Sequence, residues 1–250
     1  VKYSINPWMD PCTAVDNTKA MKQWETLRQS IVQAGPTGAD LYPDLVFTAN
    51  AAVVRNKKSY IANFFYPERK GENYFYKRWF QETWLHHMPR SGDPFRRFWR
   101  CSLGGQNQNK LFCGIGPRTD VRALKNVAEK LKDVELPFKA YGLRLIDPRF
   151  YHIDTCFCPL TDDLALYYPH AFDPISRHNL ANELELVPVD EQDACRFACN
   201  AVVVGKTVIM HQGSENTAKM LEKIGFKTHF LDMSEFIKSG GSAKCCTLRL

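Results

Sequence analysis

Short apolar segments rich in β-branched residues alternate along the chain with segments of helical periodicity. Apolar residues recur every three or four positions over residues 16–33, which predicts an amphipathic helix. Thr119 is placed to cap a second helix that buries Val121, and a third helix is predicted over residues 214–224, closed by Gly225. Strands are predicted at residues 44–54, 111–116, 140–146, 152–157, 164–168 and 201–210. This strand–helix–strand alternation predicts α/β architecture.

The chain is long enough for one sizeable hydrophobic core. It has 250 residues, of which 44% are hydrophobic. We find no clean internal sequence repeat, no low-complexity tract and no obvious linker. A single domain over residues 1–250 is therefore the economical prediction.

Charge, hydropathy and cysteine content argue against several classes of protein. The net charge of +6 is mixed in sign along the chain, so no nucleic-acid partner is expected. No stretch approaches the roughly 18 apolar residues of a membrane span, so no membrane partner is expected either. Nine cysteines follow no secretory signal, which favours reduced thiols and a cytoplasmic location. Val1 is not a natural start, so we expect a fragment, and a preceding targeting peptide stays open.

The C-terminal segment contains a candidate nucleophile. A glycine pair, Gly240 and Gly241, leads through small residues and a lysine to Cys245 and Cys246. A thiol attacks as the thiolate, which a bound cation or a turn with bare backbone N–H groups favours. The alternative is that both cysteines are small buried hydrophobic residues, as most cysteines are.

A histidine and a carboxylate form the second candidate constellation. If residues 152–157 are a strand, His152 and Asp154 point to the same face, because the side-chain period is two. Such a pair suits general acid–base chemistry beside a cation-binding group. A metal site of His152, Cys156 and Cys158 is disfavoured, since their spacing matches no standard zinc pattern. We expect neither a metal nor a cofactor.

Three other polar residues are candidates for ligand binding. Asn50 lies towards the end of the predicted strand 44–54. A buried amide there needs hydrogen-bond partners, which a guanidinium or urea would supply. The alternative is an asparagine in a turn. Arg69 and Arg118 could each grip a carboxylate with two parallel donors, although most arginines are surface charges.

Eight motifs, taken in order, resemble the arginine dihydrolase domain of cyanobacteria. They are INPWM, PDLVFTANA, PERKGE, GIGPRTD, LRLIDPRFYHIDTCFCPL, YYPHAFD, FACNAV and GGSAKCCTLRL. The resemblance runs from Ile5 to Arg249 and extends more distantly to arginine deiminases and dimethylarginine dimethylaminohydrolases of the amidinotransferase superfamily. It implies the pentein fold, a five-bladed α/β propeller with its active site on the pseudo-fivefold axis.

The resemblance also implies roles for individual residues. Cys245 matches the family's nucleophile, His152 its general acid–base, and Asp154 the acid that holds the guanidinium. The other implied substrate contacts are Arg69 and Arg118 on the amino-acid carboxylate, Asn6 and Asn50 in the polar lining, and Phe47 as an apolar wall.

The implied activity is hydrolysis of a small guanidino substrate through a covalent cysteine intermediate, with ornithine and ammonia as products. Deiminases carry aspartate at the position of Asn50, so asparagine there is dihydrolase-like. Dimethylarginine dimethylaminohydrolase is the second alternative and arginine deiminase the third. The sequence leaves the oligomeric state open, with a homo-oligomer as one outcome.

One segment departs from the family. Relatives carry a Phe-Glu-Gly-small-Gly-Asp motif whose two acids bind substrate, whereas residues 95–103 contain no acid. A non-catalytic relative that keeps the fold and binds a ligand is therefore the rival hypothesis. Residues 95–103 can, however, be encoded by codons that read Phe-Glu-Gly-Ser-Gly-Asp-Ala-Leu when the first nucleotide is dropped. A local frameshift is accordingly predicted.

Overall fold

The computed structural model describes residues 7, 9–10, 12–31, 42–55, 58–64, 66–83, 101–104, 109–116, 119–132 and 138–249. Strands and helices alternate within these ranges, which confirms the α/β class. Three features of the sequence prediction lie outside the described residues: Asn6, Arg118 and most of the non-acidic segment, residues 95–100.

The secondary structure consists of short elements. The strands are β1 (Ala52–Arg55), β2 (Lys58–Ile61), β3 (Cys101–Gly104), β4 (Lys110–Ile115), β5 (Lys139–Arg144), β6 (Phe157–Pro159), β7 (Leu164–Tyr167), β8 (Glu185–Pro188), β9 (Val202–Val204), β10 (Thr207–His211) and β11 (Lys227–Leu231). The helices are α1 (Asn17–Ile31), α2 (Pro67–Lys70), α3 (Glu72–Thr83), α4 (Val121–Lys130), α5 (Pro174–Glu183), α6 (Glu191–Cys195), α7 (Glu215–Lys223) and α8 (Ser234–Ile237).

Three sheets share one topology. In each, the first two strands pair antiparallel and the third pairs parallel with the second, which is central; the sheets are β3–β4–β5, β6–β7–β8 and β9–β10–β11. A parallel neighbour requires a crossover connection, and α4, α5 and α7 respectively lie in those connections. The described part of the chain therefore repeats a ββαβ unit, which no sequence repeat had indicated. Strands β1 and β2 form an antiparallel hairpin.

The C-terminal turn is anchored in a hydrophobic cluster of its own. Cys245 and Ala243 pack there with Ile209 of β10, Leu231 of β11 and Phe236 of α8. Each of these side chains is removed from water, so the turn is held by burial as well as by hydrogen bonds. The segment that carries the candidate nucleophile is thus fixed to the last ββαβ unit.

The predicted strand at residues 44–54 is wrong over most of its length. The chain instead forms two 3-10 turns, Pro43–Val46 and Thr48–Asn50, before β1 begins at Ala52. Pro43 sits at the first position of its turn, where its fixed φ and missing N–H favour a helical start. A short apolar run does not by itself distinguish a strand from buried helical turns.

The predicted strand at residues 152–157 is also wrong. His152 is extended, but Ile153–Thr155 is a 3-10 turn and only Phe157–Pro159 forms β6. Thr155 closes the turn because both its N–H and its Oγ1 donate to the His152 carbonyl, at 3.1 Å and 2.6 Å. His152 and Asp154 therefore do not lie on one face of a strand.

Other predicted elements are confirmed with local corrections. The predicted strands at 111–116, 140–146 and 164–168 correspond to β4, β5 and β7. The one at 201–210 is split at Gly205, whose φ is 58°, into β9 and β10. Helix α4 is capped by Asp120, whose side chain accepts from the Arg122 N–H, and not by Thr119. Val121, predicted to be buried, is 61% exposed.

The first and last predicted helices agree with α1 and α7. Gly225 follows α7 with a φ of 84°, as a helix-ending glycine should. In α1, Trp24 packs on the cluster around Cys245, whereas Met21 is exposed, contrary to the predicted apolar face.

The cysteines agree only in part with the expectation of reduced thiols. Free cysteines among the described residues are Cys12, Cys156, Cys158, Cys195, Cys199, Cys245 and Cys246. Cys113, however, is disulfide-bonded, and it faces Cys101 in the β3–β4 register. None of the helices in the described ranges has the length and apolar character that a membrane crossing requires.

Candidate active site

Cys245 lies in a buried turn that the glycine pair makes possible. Gly240 has a φ of 85°, which favours glycine. A side chain at Gly241 would lie 2.5 Å from Phe47 Cε1 and 2.9 Å from Cys245 Cβ, so only glycine fits this close approach. The aromatic wall predicted at Phe47 therefore packs against the turn that carries the thiol.

The segment around Phe47 and Asn50 is joined to the turn by a backbone hydrogen bond. The Ala49 N–H donates to the Cys245 carbonyl at 3.1 Å. Phe47 also meets Phe236 edge to face, with ring centroids 6.5 Å apart. Both Phe47 and Asn50 are buried, so the structure brings these two predicted residues to the neighbourhood of Cys245.

Asp154 contacts the candidate nucleophile directly. Cys245 Sγ lies 3.7 Å from Asp154 Oδ2, and both residues are buried. A thiolate and a carboxylate this close would place two negative charges together in a site with little water. A bound planar cation would offset both charges, because Coulomb interactions strengthen as the local dielectric falls.

His152 enters the same region from the start of the Asp154 turn. It is buried, and its ring packs on Tyr151 with centroids 4.5 Å apart. The Tyr151 hydroxyl donates to the Gly240 carbonyl, which lies in the Cys245 turn. Tyr151 thus links the histidine segment to the nucleophile segment, a contact that the sequence analysis did not predict.

Arg69 is engaged by acids of the protein itself. Its Nε and Nη2 donate to the two oxygens of Glu72, both at 2.6 Å, and Nη2 also donates to the Asp44 carbonyl at 3.0 Å. Burial alone would lower the pKa of Arg69, but the hydrogen bonds and charge of Glu72 outweigh it and raise that pKa. Its role on a substrate carboxylate stays a prediction, since Glu72 occupies one edge of the guanidinium.

Two backbone N–H groups of the turn are engaged by one buried side chain. The N–H groups of Ser242 and Cys245 both donate to Asn200 Oδ1, at 2.9 Å and 3.2 Å. Asn200 belongs to the FACNAV motif, but no role was predicted for it. The described residues contain no group of three or more histidine, cysteine or acidic side chains arranged to hold a metal ion.

The chain is similar over its whole length to proteins of known activity. It is 38% identical to the bifunctional arginine dihydrolase/ornithine cyclodeaminase ArgZ of Synechocystis sp., with 100% of this chain and 36% of that protein covered. It is 35% identical to the N(G),N(G)-dimethylarginine dimethylaminohydrolase of Mycobacterium tuberculosis, with 100% of this chain and 82% of that protein covered. The chain thus spans 36% of the length of the cyanobacterial relative.

Solved structures and a family model agree with these similarities. The product-bound N-terminal domain of ArgZ, an arginine dihydrolase, superposes with a TM-score of 0.89 at 35% identity, with 99% of this chain and 92% of that chain covered. These matches define the class of fold, an α/β chain of the same architecture as that domain. A family model described as N,N dimethylarginine dimethylhydrolase, eukaryotic, matches residues 103–250, and the chain belongs to this family.

Proposed function

We propose that this chain hydrolyses the guanidino carbon–nitrogen bonds of arginine or a substituted arginine, with Cys245 as the nucleophile. The observation that carries the proposal is the buried 3.7 Å contact between Cys245 Sγ and Asp154 Oδ2, with the buried His152 two residues before Asp154 in the chain. A sulfur nucleophile next to a carboxylate is complementary to a planar cation with an electrophilic carbon. The names of two relatives, an arginine dihydrolase and a dimethylarginine dimethylaminohydrolase, support the same substrate class.

The mechanism follows from three side chains. Cys245 sulfur forms a bond to the guanidino carbon, and the bond from that carbon to a terminal nitrogen breaks. His152 gives its proton to the departing nitrogen, then takes a proton from water, whose oxygen displaces the thiolate. Asp154 keeps the guanidinium charged and oriented during the attack. A cysteine-to-serine variant of the ArgZ domain was solved with substrate bound, which supports a cysteine nucleophile.

Arginine dihydrolysis is the favoured activity. A second passage through these steps on the ureido carbon gives, in total, ornithine, two ammonia and carbon dioxide from arginine and two waters. Asn50 supports this choice because a neutral amide suits a neutral ureido group, whereas a carboxylate there would favour a charged guanidinium. Dimethylarginine dimethylaminohydrolase and arginine deiminase remain the second and third candidates.

Product analysis tests the proposal. The purified chain, with residues 95–103 restored to Phe-Glu-Gly-Ser-Gly-Asp-Ala-Leu, is incubated separately with arginine, asymmetric dimethylarginine and citrulline, and the products are identified by mass spectrometry. Ornithine and ammonia in a 1:2 ratio from arginine are expected. Citrulline as the end product would assign a deiminase, and dimethylamine from the methylated substrate would assign the dimethylarginine hydrolase. No product from any of the three would overturn the proposal.

The rival candidate, a non-catalytic binding protein, is favoured only by the missing acids in residues 95–103. We propose that these residues are a frameshifted reading, because arginines in place of the family's substrate-binding acids would repel a cationic substrate. The transcript should therefore contain codons for glutamate and aspartate in the shifted frame. A tryptic peptide of the native protein with Phe98-Trp99-Arg100 would refute the frameshift and make the binding protein the leading candidate.

We propose that the chain forms one domain over residues 1–250 with the five-bladed pentein propeller. Its support is the repeated ββαβ unit together with the β1–β2 hairpin. A cytoplasmic location is proposed from the free thiols, of which Cys12 is exposed. The proposed partner is the small guanidino substrate alone, with no nucleic acid or membrane, and a homo-oligomer is one possible assembly.

A further inference from the structure

Asn200 is fully buried and ends a strained segment. Its exposed fraction is 0%, and its N–H donates to the Phe197 carbonyl at 2.9 Å. Phe197 has a φ of 63°, a left-handed conformation that a bulky side chain rarely adopts. Such outliers persist only where the surrounding structure fixes them, and they cluster at functional sites. The backbone here is therefore held in an unusual shape immediately before Asn200.

The acceptor side of Asn200 holds the nucleophile turn. Its Oδ1 accepts from Ser242 N–H at 2.9 Å and from Cys245 N–H at 3.2 Å. Its backbone carbonyl accepts from Lys244 N–H at 3.1 Å. Three N–H groups of the turn are thus satisfied by one buried residue, which fixes the direction in which the Cys245 side chain leaves the backbone.

The donor side of Asn200 holds the acid. Its Nδ2 donates to the Asp154 carbonyl at 2.8 Å and lies 3.3 Å from Asp154 Oδ2. That oxygen is the one 3.7 Å from Cys245 Sγ. One side-chain amide therefore connects the Cys245 turn to Asp154, the two groups that the proposed reaction needs at a fixed distance.

We propose that Asn200 is a positioning residue that sets the distance between the Cys245 thiol and the Asp154 carboxylate, an inference that rests on the proposed function. The bridge requires an acceptor at one end, a donor at the other and no net charge, a combination that a side-chain amide provides. Aspartate would keep the acceptor for the turn but would set a second carboxylate against Asp154. Two carboxylates in contact share a proton, so one of them ionises only at higher pH.

Asn200→Asp tests the bridge, with Asn216→Asp as the matched control. Asn216 also donates to a carboxylate, Asp190 Oδ2 at 3.0 Å, but on the exposed surface. We expect Asn200→Asp to lower kcat about a hundredfold, as small misplacements of reacting groups do, with a much smaller change in KM. The acid limb of its pH profile should move up by about one unit, and Asn216→Asp should match wild type in both measurements. Wild-type kcat with an unmoved acid limb in Asn200→Asp would overturn the inference.

A second variant tests the bridge if the first one does not stay folded. If Asn200→Asp melts below the assay temperature, Asn200→Ser is used, since serine keeps one acceptor for the turn without a charge. It is too short to bridge to Asp154, so we expect a folded protein with kcat reduced at least about tenfold. A folded Asn200→Ser protein with wild-type kcat would also overturn the inference.

Thiol labelling separates this inference from the proposed function. If the wild-type protein hydrolyses no guanidino compound, the proposed function fails, and the bridge is tested by iodoacetamide labelling at pH 8. Asn200→Asp should slow labelling of Cys245 at least about threefold, because added negative charge disfavours the thiolate. Exposed Cys12 serves as the internal control in the same sample. Equal labelling rates of Cys245 in wild type and Asn200→Asp would refute the proposed bridge.

Discussion

Replacing Glu72 with glutamine tests whether the Arg69 ion pair supports the wall of the site. Glu72 is fully buried and holds Arg69 through two hydrogen bonds of 2.6 Å. Arg69 in turn donates to the Asp44 carbonyl, in the 3-10 segment that precedes Phe47. Glutamine keeps the shape of Glu72, but it removes the charge and turns an amide N–H donor toward the guanidinium. The guanidinium would keep its contacts with Asp44, whose Oδ2 is 3.7 Å from Arg69 Nε, and with the ring of Phe64 at 4.7 Å.

The expected cost follows from burial. Breaking a buried pair by neutralising one partner costs about 3 kcal/mol, because the other charge stays buried and keeps only the weaker compensation of Asp44 at 3.7 Å. For a chain of this size such a loss lowers the melting temperature by roughly 6–12 °C. Thermal and urea unfolding at pH 7, followed by circular dichroism, measure both quantities.

An exposed pair provides the control for this measurement. Glu129 lies 4.0 Å from Lys125, with side-chain exposures of 62% and 84%. Glu129→Gln should change stability by less than about 0.5 kcal/mol, since exposed pairs are screened by water and salt. If Glu72→Gln and Glu129→Gln unfold at the same urea concentration, the Arg69 pair contributes no more than a surface pair, and the reasoning is refuted.

Three predictions address the chemistry. Cys245→Ser should reduce turnover at least about a thousandfold while Cys246→Ser largely spares it; a haloacetamidine that labels Cys246 and leaves Cys245 unmodified would contradict the assignment. His152→Ala should lower kcat by about 10²–10⁴ without unfolding the chain, checked by steady-state rates beside a thermal melt. A cooperative loss of fold would instead make His152 a core residue. Asn50→Asp should shift the products from ornithine toward citrulline, quantified by mass spectrometry; citrulline as the wild-type product would demote the dihydrolase assignment.

The sequence predicted best the elements whose periodicity and end signals agree. Helix α7 combines an apolar face with a closing glycine, and Gly225 adopts the positive φ that this position requires. Strand β4 is a continuous apolar run buried on both sides, as central strands are. In both cases local signal and tertiary burial point to the same structure. The sequence does not predict the repeated ββαβ unit, because its copies share topology and not residues.

Prediction failed where a short apolar run folds into tight turns. Both the Phe47 segment and the His152 segment contain buried residues without a clear period, and each was predicted as a strand. The decisive interactions are local hydrogen bonds, such as Thr155 Oγ1 to the His152 carbonyl, that hydropathy does not record. Asp154 nevertheless contacts the Cys245 thiol, and the buried His152 lies two residues before it. The residue types were therefore informative about chemistry even where the backbone argument was wrong.

The Arg69 pair shows which partners a sequence can reveal. Glu72 follows Arg69 at a three-residue spacing, which is the spacing of neighbours on a helical surface, so that contact was within reach of the sequence. Asp44 is distant along the chain, and its contact with Arg69 depends on how α2 packs against the 3-10 turn. An arginine in a charged motif such as PERKGE is expected on the surface, and the sequence does not show that Arg69 is buried.

Asn200 marks the limit of prediction from residue types. An asparagine between apolar residues indicates a buried amide, but its partners belong to segments 46 and 42 or more positions away, at Asp154 and Ser242. No periodicity links those segments, because they meet only through tertiary packing. Cys245 and Asp154 sit in turns, where their positions depend on hydrogen bonds from outside each turn. A site of this kind therefore derives its precision from uncharged groups such as the buried Asn200 amide and the partly buried Tyr151 hydroxyl, which leave no recognisable spacing in the sequence.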